Sequence, residues 1–304
     1  MTLEQLRIFV AVAERQHVTA AARALNLTQS AVSNALAALE ERHAVRLFDR
    51  IGRGIVLNNT GLAFLDEARA VLARTALAEA VLADLSGLRR GRLAIRASQT
   101  IAGYWLPGRL VRFHAAYPAV DLAVEVGNTR EVLQAVLDGT CELGIVEGEV
   151  EHLLIEQREV GRDRLVILAH PEHPWLRRDR VRTPDLARAG WIMRETGSGT
   201  RSSLEAALAA AGIDPAALEV RMTLPSNEAV LSAVQAGNGV AALSEHVARA
   251  ALAAGLVAAI GFDLPARPFR LLRHRNRHRT RAADAFVSGL DPAAAGTPAD
   301  DLRA

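Results

Sequence analysis

The chain has 304 residues, of which 50% are hydrophobic and 23% are charged, and this composition suits a globular protein of two or three domains. The formal net charge is only +2, so overall charge does not indicate a nucleic-acid partner, and any basic surface must be local. The sequence contains no lysine, which excludes Walker A phosphate loops, Schiff-base enzymes and Ser-Lys hydrolases.

A single cysteine, Cys141, excludes an internal disulfide and a cysteine-based zinc site. It lies in the apolar run CELGIV, so we expect it to be buried as a small hydrophobic residue. The start, MTLEQLRIFV, lacks a signal-peptide pattern, and no apolar run reaches the ~18 residues that a membrane span needs. We therefore expect a cytoplasmic protein.

The segment TAAARALNLTQSAVSNALAALEE predicts two short helices joined by a tight turn, with Thr19 and Thr28 as their N-caps. In the second helix, apolar residues share one face and small polar residues share the other. Such side chains fit a DNA major groove and bond base edges or phosphates. The candidate DNA-binding residues on this face are Thr28, Gln29, Ser30, Ser33 and Asn34. The alternative is a solvated face of a small helical bundle.

A β-hairpin is predicted directly after these helices, with strands RLFDR and IVLN joined by the turn IGRG. Arg53 lies at the tip of this wing, where an arginine suits the negative potential of a narrow minor groove. The alternative for Arg53 is a solvated turn residue.

One long helix rich in Ala and Leu is predicted from residue 59 to about residue 87. Leu62, Leu65, Ala68, Leu72 and Ala76 repeat every three or four positions and form one apolar stripe. We expect the part of this stripe at Leu65, Ala68 and Leu72 to be buried against a second subunit.

From Gly91 onward, short strands alternate with helices, which predicts an α/β fold with a parallel sheet covered by helices. The strands include GRLAIRAS, VDLAVEVG, CELGIVEG and RLVILAH, and a last helix is predicted from about Arg279 to Leu290.

Taken together, LRIFVAVAE, TAAARALNLTQSAVSNALAALEE, RLFDR and the long helix resemble the LysR-type transcriptional regulators over nearly the whole chain. The resemblance implies a winged helix-turn-helix domain, a linker helix that dimerises, and an effector domain of two Rossmann-like lobes, similar to periplasmic binding proteins. It also implies homodimers and homotetramers on double-stranded promoter DNA, with RNA polymerase as a further partner. The implied boundaries are 1–58, 59–88 and 89–304, with lobe I at about 89–162 and 268–291 and lobe II at about 163–267.

Two departures from the family pattern concern helix ends. His43-Ala44 stands where the family usually has Leu-Gly, and LNNTG replaces its LTxxG. Asn58 or Asn59 can cap a helix as Thr does, so we expect little change there.

Three strand-to-helix turns rich in Ser, Thr and Gly should converge at the carboxyl ends of the strands, where ligands bind in open α/β sheets. Helix N-termini at such turns favour anions. We expect an uncharged cleft for a small carboxylate, sulfate or phosphorylated metabolite, lined by Ser98, Thr100, Asn128, Thr129, Ser198 and Thr200. The alternative for each is an ordinary N-cap.

Glu147 ends the strand CELGIVE and is a further candidate for the cleft. A carboxylate there would disfavour a highly charged anion, or select a ligand with an amino group. The alternative is a solvated loop carboxylate.

Two other features are interpreted as structural. His170 and His173 lie in an irregular turn and lack ligand partners at metal-binding spacing. The basic run RPFRLLRHRNRHRTRAADAF is expected to be a solvated return from strand to helix, with DNA or an acidic partner as the alternative.

The sequence thus favours a DNA-binding transcriptional regulator, not an enzyme, controlled by a small effector and without a cofactor. GNTREVLQAVLDGTCELGIVEG, RETGSGTRSSLE and LPSNEAVLSAVQAGNGVAALSE resemble the branch that regulates CO2 fixation and sulfur assimilation. The alternative is a cytoplasmic binding protein or enzyme that uses the cleft, with the N-terminal bundle as an interaction module. We find no HExxH, GxSxG or GxGxxG motif to support an enzyme.

Overall fold

The computed structural model describes residues 1–51, 54–85, 91–148, 150–178, 181–237 and 239–290. Among these residues, no helix combines the length and the apolar character needed to cross a membrane. The first compact unit runs from Met1 to Glu79, and most of the remaining chain forms the second.

The first unit is a helical bundle with a β-hairpin. Its elements are α1 (Leu3–Arg15), α2 (Val18–Ala24), α3 (Gln29–His43), β1 (Phe48–Ile51), β2 (Gly54–Leu57) and the start of α4 (Asn59–Leu85). The ring of Phe9 is fully buried and lies 5.5 Å from the ring of Phe48 and 5.0 Å from that of Phe64. Aromatic residues from α1, β1 and α4 therefore share one core.

Helix caps were predicted correctly at one of the two positions. Thr28 Oγ1 accepts a hydrogen bond from Ala31 N at 3.2 Å, which confirms Thr28 as the N-cap of α3. Thr19 is not a cap, because α2 begins earlier and is capped by the ring of His17, whose Nδ1 accepts from Ala20 N at 3.2 Å. The sequence rule favours hydroxyl and carboxamide caps and therefore missed this histidine.

Ala44 follows the last residue of α3, and its backbone adopts the left-handed conformation, with φ 51° and ψ 39°. This conformation favours glycine, the residue that the family resemblance places here, because a β-carbon crowds the following carbonyl. The chain therefore carries local backbone strain at the end of α3.

The predicted wing is confirmed as an antiparallel hairpin, in register from Phe48 opposite Leu57 to Ile51 opposite Gly54. Arg53, at the predicted tip, lies outside the described residues. After the hairpin, Asn58 caps α4, since its Oδ1 accepts from Gly61 N at 2.9 Å, as expected from the sequence.

The apolar stripe of α4 packs within its own unit. Leu65 is 9% exposed and Ala68 is 1% exposed, and both belong to the core around Phe9, against which Leu72 also packs. The prediction that this stripe forms the contact with a second subunit is therefore wrong. Periodicity identified the buried positions Leu65 and Ala68, but they pack into the core of their own unit, and Leu62 of the predicted stripe is 53% exposed.

The second unit is an α/β structure. Its strands are β3 (Gly91–Ser98), β4 (Val120–Gly127), β5 (Leu143–Glu147), β6 (Ile155–Ala169), β7 (Gly190–Arg194), β8 (Glu219–Leu224), β9 (Ala241–Ser244), β10 (Ala258–Ile260) and β11 (Ala266–His274). Its helices are α5 (Pro107–Ala116), α6 (Thr129–Asp138), α7 (Thr183–Ala187), α8 (Gly199–Ala210), α9 (Asn227–Gln235), α10 (Glu245–Ala253) and α11 (Arg281–Ser288).

The main sheet has the order β10-β6-β11-β5-β3-β4, and β9 also pairs with β6. β3 is parallel to β4 and β5, as predicted, whereas β11 is antiparallel to both β5 and β6. The predicted parallel sheet is therefore confirmed for β3, β4 and β5, whereas β11, which returns through the sheet, is antiparallel to its neighbours. β6 begins at Ile155, ahead of the predicted RLVILAH, and its first half did not appear as a strand in the sequence because four consecutive polar residues, 156–159, lie between the buried Ile155 and Val160.

Two lobes share β6. The first lobe packs β3, β5 and β11 against α5 and α11, with Phe269 and Phe286 in its core. The second lobe surrounds Trp191 with α8 and β9, and Trp191 Nε1 donates to Leu186 O at 3.0 Å. Cys141 is buried as predicted, and burial raises the pKa of its thiol to about 12.

Candidate DNA-binding helix and effector cleft

The predicted division of faces on α3 is confirmed by burial. Val32, Leu36 and Leu39 are buried. The opposite face is solvent-exposed and carries the five predicted residues Thr28, Gln29, Ser30, Ser33 and Asn34. Their hydroxyl and amide groups remain accessible, although Thr28 Oγ1 is already engaged as a cap and lies 3.1 Å from Ser30 Oγ.

A concave surface of about 680 Å³ lies beside this face, between α2, α3 and the hairpin. Gln29 and Ser33 line it together with His17, Arg46 and Glu40. Glu40 Oε1 accepts from Leu47 N at 2.7 Å and so fixes the chain entering β1 against α3. The structure thus adds an exposed cation, Arg46, to the predicted polar face.

The carboxyl ends of three strands of the first lobe meet at one edge. Ser98 is opposite Gly127 in the register of β3 and β4, and Ala97 is opposite Ile145 in β5. Ser98 and Glu147 are each 3% exposed. Because Glu147 is buried, the alternative of a solvated loop carboxylate is wrong.

Two hydroxyls at this edge are buried without a partner. Ser98 Oγ and Thr129 Oγ1 make no hydrogen bond to any described part of the chain. Asn128 behaves differently, because its Oδ1 accepts from Glu131 N at 3.1 Å and its own N donates to Glu131 Oε2 at 2.9 Å. The alternative of an ordinary helix N-cap therefore holds for Asn128, whereas the Ser98 hydroxyl does not cap a helix.

The first turn of α8, from the second lobe, approaches this same edge. A β-carbon on Gly199 would lie 2.5 Å from Thr129 Oγ1 and 2.8 Å from the Glu147 carbonyl oxygen. Arg130 N also donates to Gly197 O at 3.2 Å. We call the place where these residues of the two lobes meet the interlobe cleft; Ser198 and Thr200, both 3% exposed, belong to the same turn.

A buried ionic cluster borders the cleft, and the sequence did not reveal it. Arg267 Nε and Nη2 donate to Asp163 Oδ2 at 2.9 and 2.6 Å, and Nη1 donates to Thr200 Oγ1 at 3.2 Å. Glu147 Oε1 lies 4.0 Å from Arg267 Nη2. The prediction of an uncharged cleft is therefore wrong, and Arg267, predicted to be solvated in the basic run, is only 4% exposed.

A second network joins the lobes through residues that the sequence reading also missed. Gln99 Nε2 donates to Pro225 O at 2.9 Å, and Gln99 Oε1 accepts from Asn227 N at 3.1 Å. Asn227 Nδ2 donates to Thr100 Oγ1 at 3.1 Å, and Arg194 Nη1 donates to Asn227 Oδ1 at 2.5 Å. Thr100 is thus held by Asn227, and both side chains are buried.

The two histidines of the HPEHPW turn stabilise that turn. His170 Nδ1 accepts from Glu172 N and His173 Nδ1 accepts from Trp175 N, at 3.2 and 3.3 Å. Burial lowers the pKa of His173. Within the described ranges, no group of three or more His, Cys, Asp or Glu residues is placed to hold a metal ion.

Two family descriptions cover almost all of the chain. Residues 3–62 match "Bacterial regulatory helix-turn-helix protein, lysR family", and residues 86–294 match "LysR substrate binding domain".

Curated relatives extend over the same length. The chain is 36% identical over 295 residues to the uncharacterized HTH-type transcriptional regulator YeiE of Escherichia coli K12, covering 96% of this chain and 98% of that protein. It is 32% identical over 290 residues to a probable RuBisCO transcriptional regulator of Cyanophora paradoxa, covering 94% and 90%. The relatives named as RuBisCO regulators support the branch that the sequence motifs predicted.

Solved structures share the fold. CbnR complexed with its target DNA superposes with a TM-score of 0.69 at 23% identity, covering 95% of this chain and 99% of that chain. The regulatory domain of CcmR from Synechocystis, in complex with 2-PG, gives a TM-score of 0.62 at 24% identity, covering 69% and 100%. With its helix-turn-helix, its wing and its two-lobed α/β unit, this chain belongs to the LysR family of bacterial transcriptional regulators.

Proposed function

We propose that a small anion bound in the interlobe cleft controls DNA binding by α3. The observation that carries the ligand site is the pair of buried hydroxyls of Ser98 and Thr129, which have no partner among the described residues. Leaving such a group buried and unbonded costs about 1–3 kcal/mol. A ligand that accepts hydrogen bonds from both hydroxyls recovers that cost.

The surroundings favour a compact ligand of low charge. The first turns of α6 and α8 offer backbone N–H groups and positive dipole ends, which attract anions. Arg267 adds a positive charge, but Asp163 and Glu147 are buried around it. A highly charged anion would therefore meet two carboxylates, whereas a monocarboxylate, sulfate or singly phosphorylated metabolite would not be strongly repelled. An amino group on the ligand would pair with Glu147.

The two lobes supply a mechanism for control. Ser98 and Thr129 come from the first lobe, whereas Gly199 and Thr200 come from the second, so a ligand bound between them favours one arrangement of the lobes. The regulatory domain of CcmR was solved with 2-PG, which supports a small-molecule site in this fold.

The DNA-binding role rests on the exposed face of α3. Gln29 and Asn34 have the amide groups that bond adenine edges, while Ser30 and Ser33 have hydroxyls that suit bases or phosphates. Thr28 presents a hydroxyl at the helix N-terminus, and Arg53 is proposed to enter the minor groove. CbnR, solved with its target DNA, supports this use of the domain.

We also propose assembly into dimers and tetramers through another face of α4. Val71, Ala78 and Leu82 are exposed and spaced by seven and four residues, so they share one side of the helix. Val71 is 41% exposed and Leu82 is 66% exposed. A second copy of α4 laid along this stripe would bury it as in a coiled coil. The assembly would act on promoter DNA in the cytoplasm together with RNA polymerase.

The ligand site is tested by calorimetry on the full chain with a panel of sulfate, phosphate and small monocarboxylates. The wild type should bind at least one of them, and Ser98→Ala and Thr129→Val should each weaken that binding by about tenfold. Thr223→Val, which removes an exposed hydroxyl from β8, is the matched control and should bind as the wild type does. Equal affinity in all four proteins would refute the cleft site.

A further inference from the structure

We infer that the first lobe holds a second ligand site, for a small monocarboxylate with an alkyl chain, in a cavity between β6, β11 and α11. The carboxylate would bond Arg273, and the chain would rest on Leu271 and Val287. The cavity measures about 240 Å³. This site lies apart from the interlobe cleft and does not depend on it.

Strand register places the cavity at the edge of the sheet opposite the cleft. β11 runs antiparallel to β5, with Phe269 opposite Glu147 and Leu272 opposite Gly144. The end of β11 therefore lies at the amino ends of the parallel strands, whereas the cleft lies at their carboxyl ends. Arg273 is consequently separated from the cleft by the length of β5.

The same register brings alternate side chains onto one face. Leu271 is opposite Arg158 and Arg273 is opposite Glu156, and directly opposed residues of antiparallel strands project from the same face. Val287 and Ser288 of α11 line the other side of the cavity. A sheet face and a helix thus enclose it.

Arg273 provides the anion-binding group. The residue is 8% exposed, and its Nη1 donates to Asp284 Oδ1 at 2.9 Å. Its Nη2 is buried and finds no hydrogen-bond partner in the described part of the chain. A guanidinium presents its donors as a rigid fork suited to a carboxylate. One arm of this fork is occupied, and the other has N–H donors that a ligand carboxylate in the cavity would satisfy.

The remaining lining sets the class of ligand. Leu271 is 3% exposed and Val287 is 7% exposed, which gives the cavity an apolar floor. Arg158 and Arg279 add positive charge beside Arg273, and Arg279 Nη2 is paired with Glu156 Oε2 at 2.6 Å. A single negative charge with an apolar body matches this combination.

A nearby carboxylate does not occupy the free arm of Arg273. Glu142 interacts with Arg273 through its charge, but its oxygens accept from Thr280 N at 2.8 Å and from Thr280 Oγ1 at 2.9 Å. Its pKa is raised by burial. The partner of Glu142 is thus the start of α11, and Arg273 Nη2 has no hydrogen-bond partner among the described residues.

The test is calorimetric titration of the full chain with acetate, butyrate and hexanoate, using hexylamine as the control of opposite charge. Affinity should rise about three- to fourfold for each methylene that is buried, and hexylamine should not bind. Arg273→Gln should weaken hexanoate binding about tenfold or more. Arg249→Gln, an equal change of charge on the exposed side of α10, should leave it unchanged.

Two further variants make the outcome decisive. Ser288→Trp fills the mouth of the cavity from an exposed position and should abolish hexanoate binding even if Arg273→Gln lowers the melting temperature. Thr129→Val alters the cleft and should leave hexanoate binding intact. The inference is overturned if the wild type binds none of the three carboxylates, if Ser288→Trp binds hexanoate normally, or if Thr129→Val alone removes binding.

Discussion

Thr129 and Gly199 come from opposite lobes, yet a β-carbon on residue 199 would lie only 2.5 Å from Thr129 Oγ1. The same β-carbon would lie 2.8 Å from the carbonyl oxygen of Glu147. A hydroxyl can rotate away, whereas a backbone carbonyl cannot move without shifting β5. Glycine at residue 199 therefore permits the two helix N-termini to meet.

We predict that Gly199→Ala forces the lobes apart at this point. Overpacking of this kind costs about 1–3 kcal/mol, so the melting temperature should fall, and ligand affinity in the cleft should fall with it. Calorimetry and thermal melting measure the two effects. Gly103→Ala is the matched control, since among the described residues no heavy atom beyond its chain neighbours and its own helix backbone lies within 4 Å of the added carbon. A Gly199→Ala protein that behaves like this control would contradict the prediction.

Arg267→Met should strongly destabilise the second unit. The substitution leaves Asp163 and Glu147 buried without their cation, and breaking a buried pair from one side costs about 3–5 kcal/mol. Adding Asp163→Asn to Arg267→Met removes one of the stranded charges and should recover part of the stability. Denaturant unfolding of the two variants and the wild type gives this comparison, and a double variant less stable than Arg267→Met would argue against the cluster.

Ala44→Gly should stabilise the first unit. Relief of the left-handed strain is worth roughly 1–2 kcal/mol, and the added freedom of the unfolded chain costs about 0.4–1 kcal/mol, so a net gain of about 1 kcal/mol is expected. This gain in stability should appear as slower hydrogen exchange of the backbone amides of α1 and α3, measured in the full chain. Ala38→Gly, the same change at an exposed position inside α3, should instead destabilise by about 1 kcal/mol.

Leu82→Asp and Leu72→Asp should separate assembly from folding. Leu82→Asp introduces a charge into the proposed seam and should yield monomers by light scattering, with an unchanged melting profile of the first unit. Leu72→Asp places a charge against the core around Phe9 and should lower stability instead. If the Leu82→Asp protein is still a dimer, the contact between the two copies does not involve this face of α4.

Gln29→Ala and Asn34→Ala should relax the sequence preference of DNA binding. Loss of a true base contact costs ~1–3 kcal/mol of discrimination between operator and mismatched sites. Salt-matched gel shifts with operator variants measure this preference. Operator preference that is unchanged in both variants would show that this face does not read bases.

Local rules accounted for the elements that depend on neighbours in sequence. The cap at Thr28, the buried positions Val32, Leu36 and Leu39, and the cap at Asn58 all follow from side chains within a few residues of one another. The convergence of Ser98, Thr129 and Glu147 also followed, because parallel strands end at a common edge.

Tertiary structure alone decided which partner each of these surfaces meets. The sequence showed that Leu65 and Ala68 share an apolar face, but only folding determined that this face packs into the core of its own unit instead of against a second subunit. Arg267 and Asp163 are 104 residues apart, and nothing local distinguishes either from a solvated residue. Their burial depends on β6 and β11 pairing across both lobes, a non-local contact that no periodicity encodes.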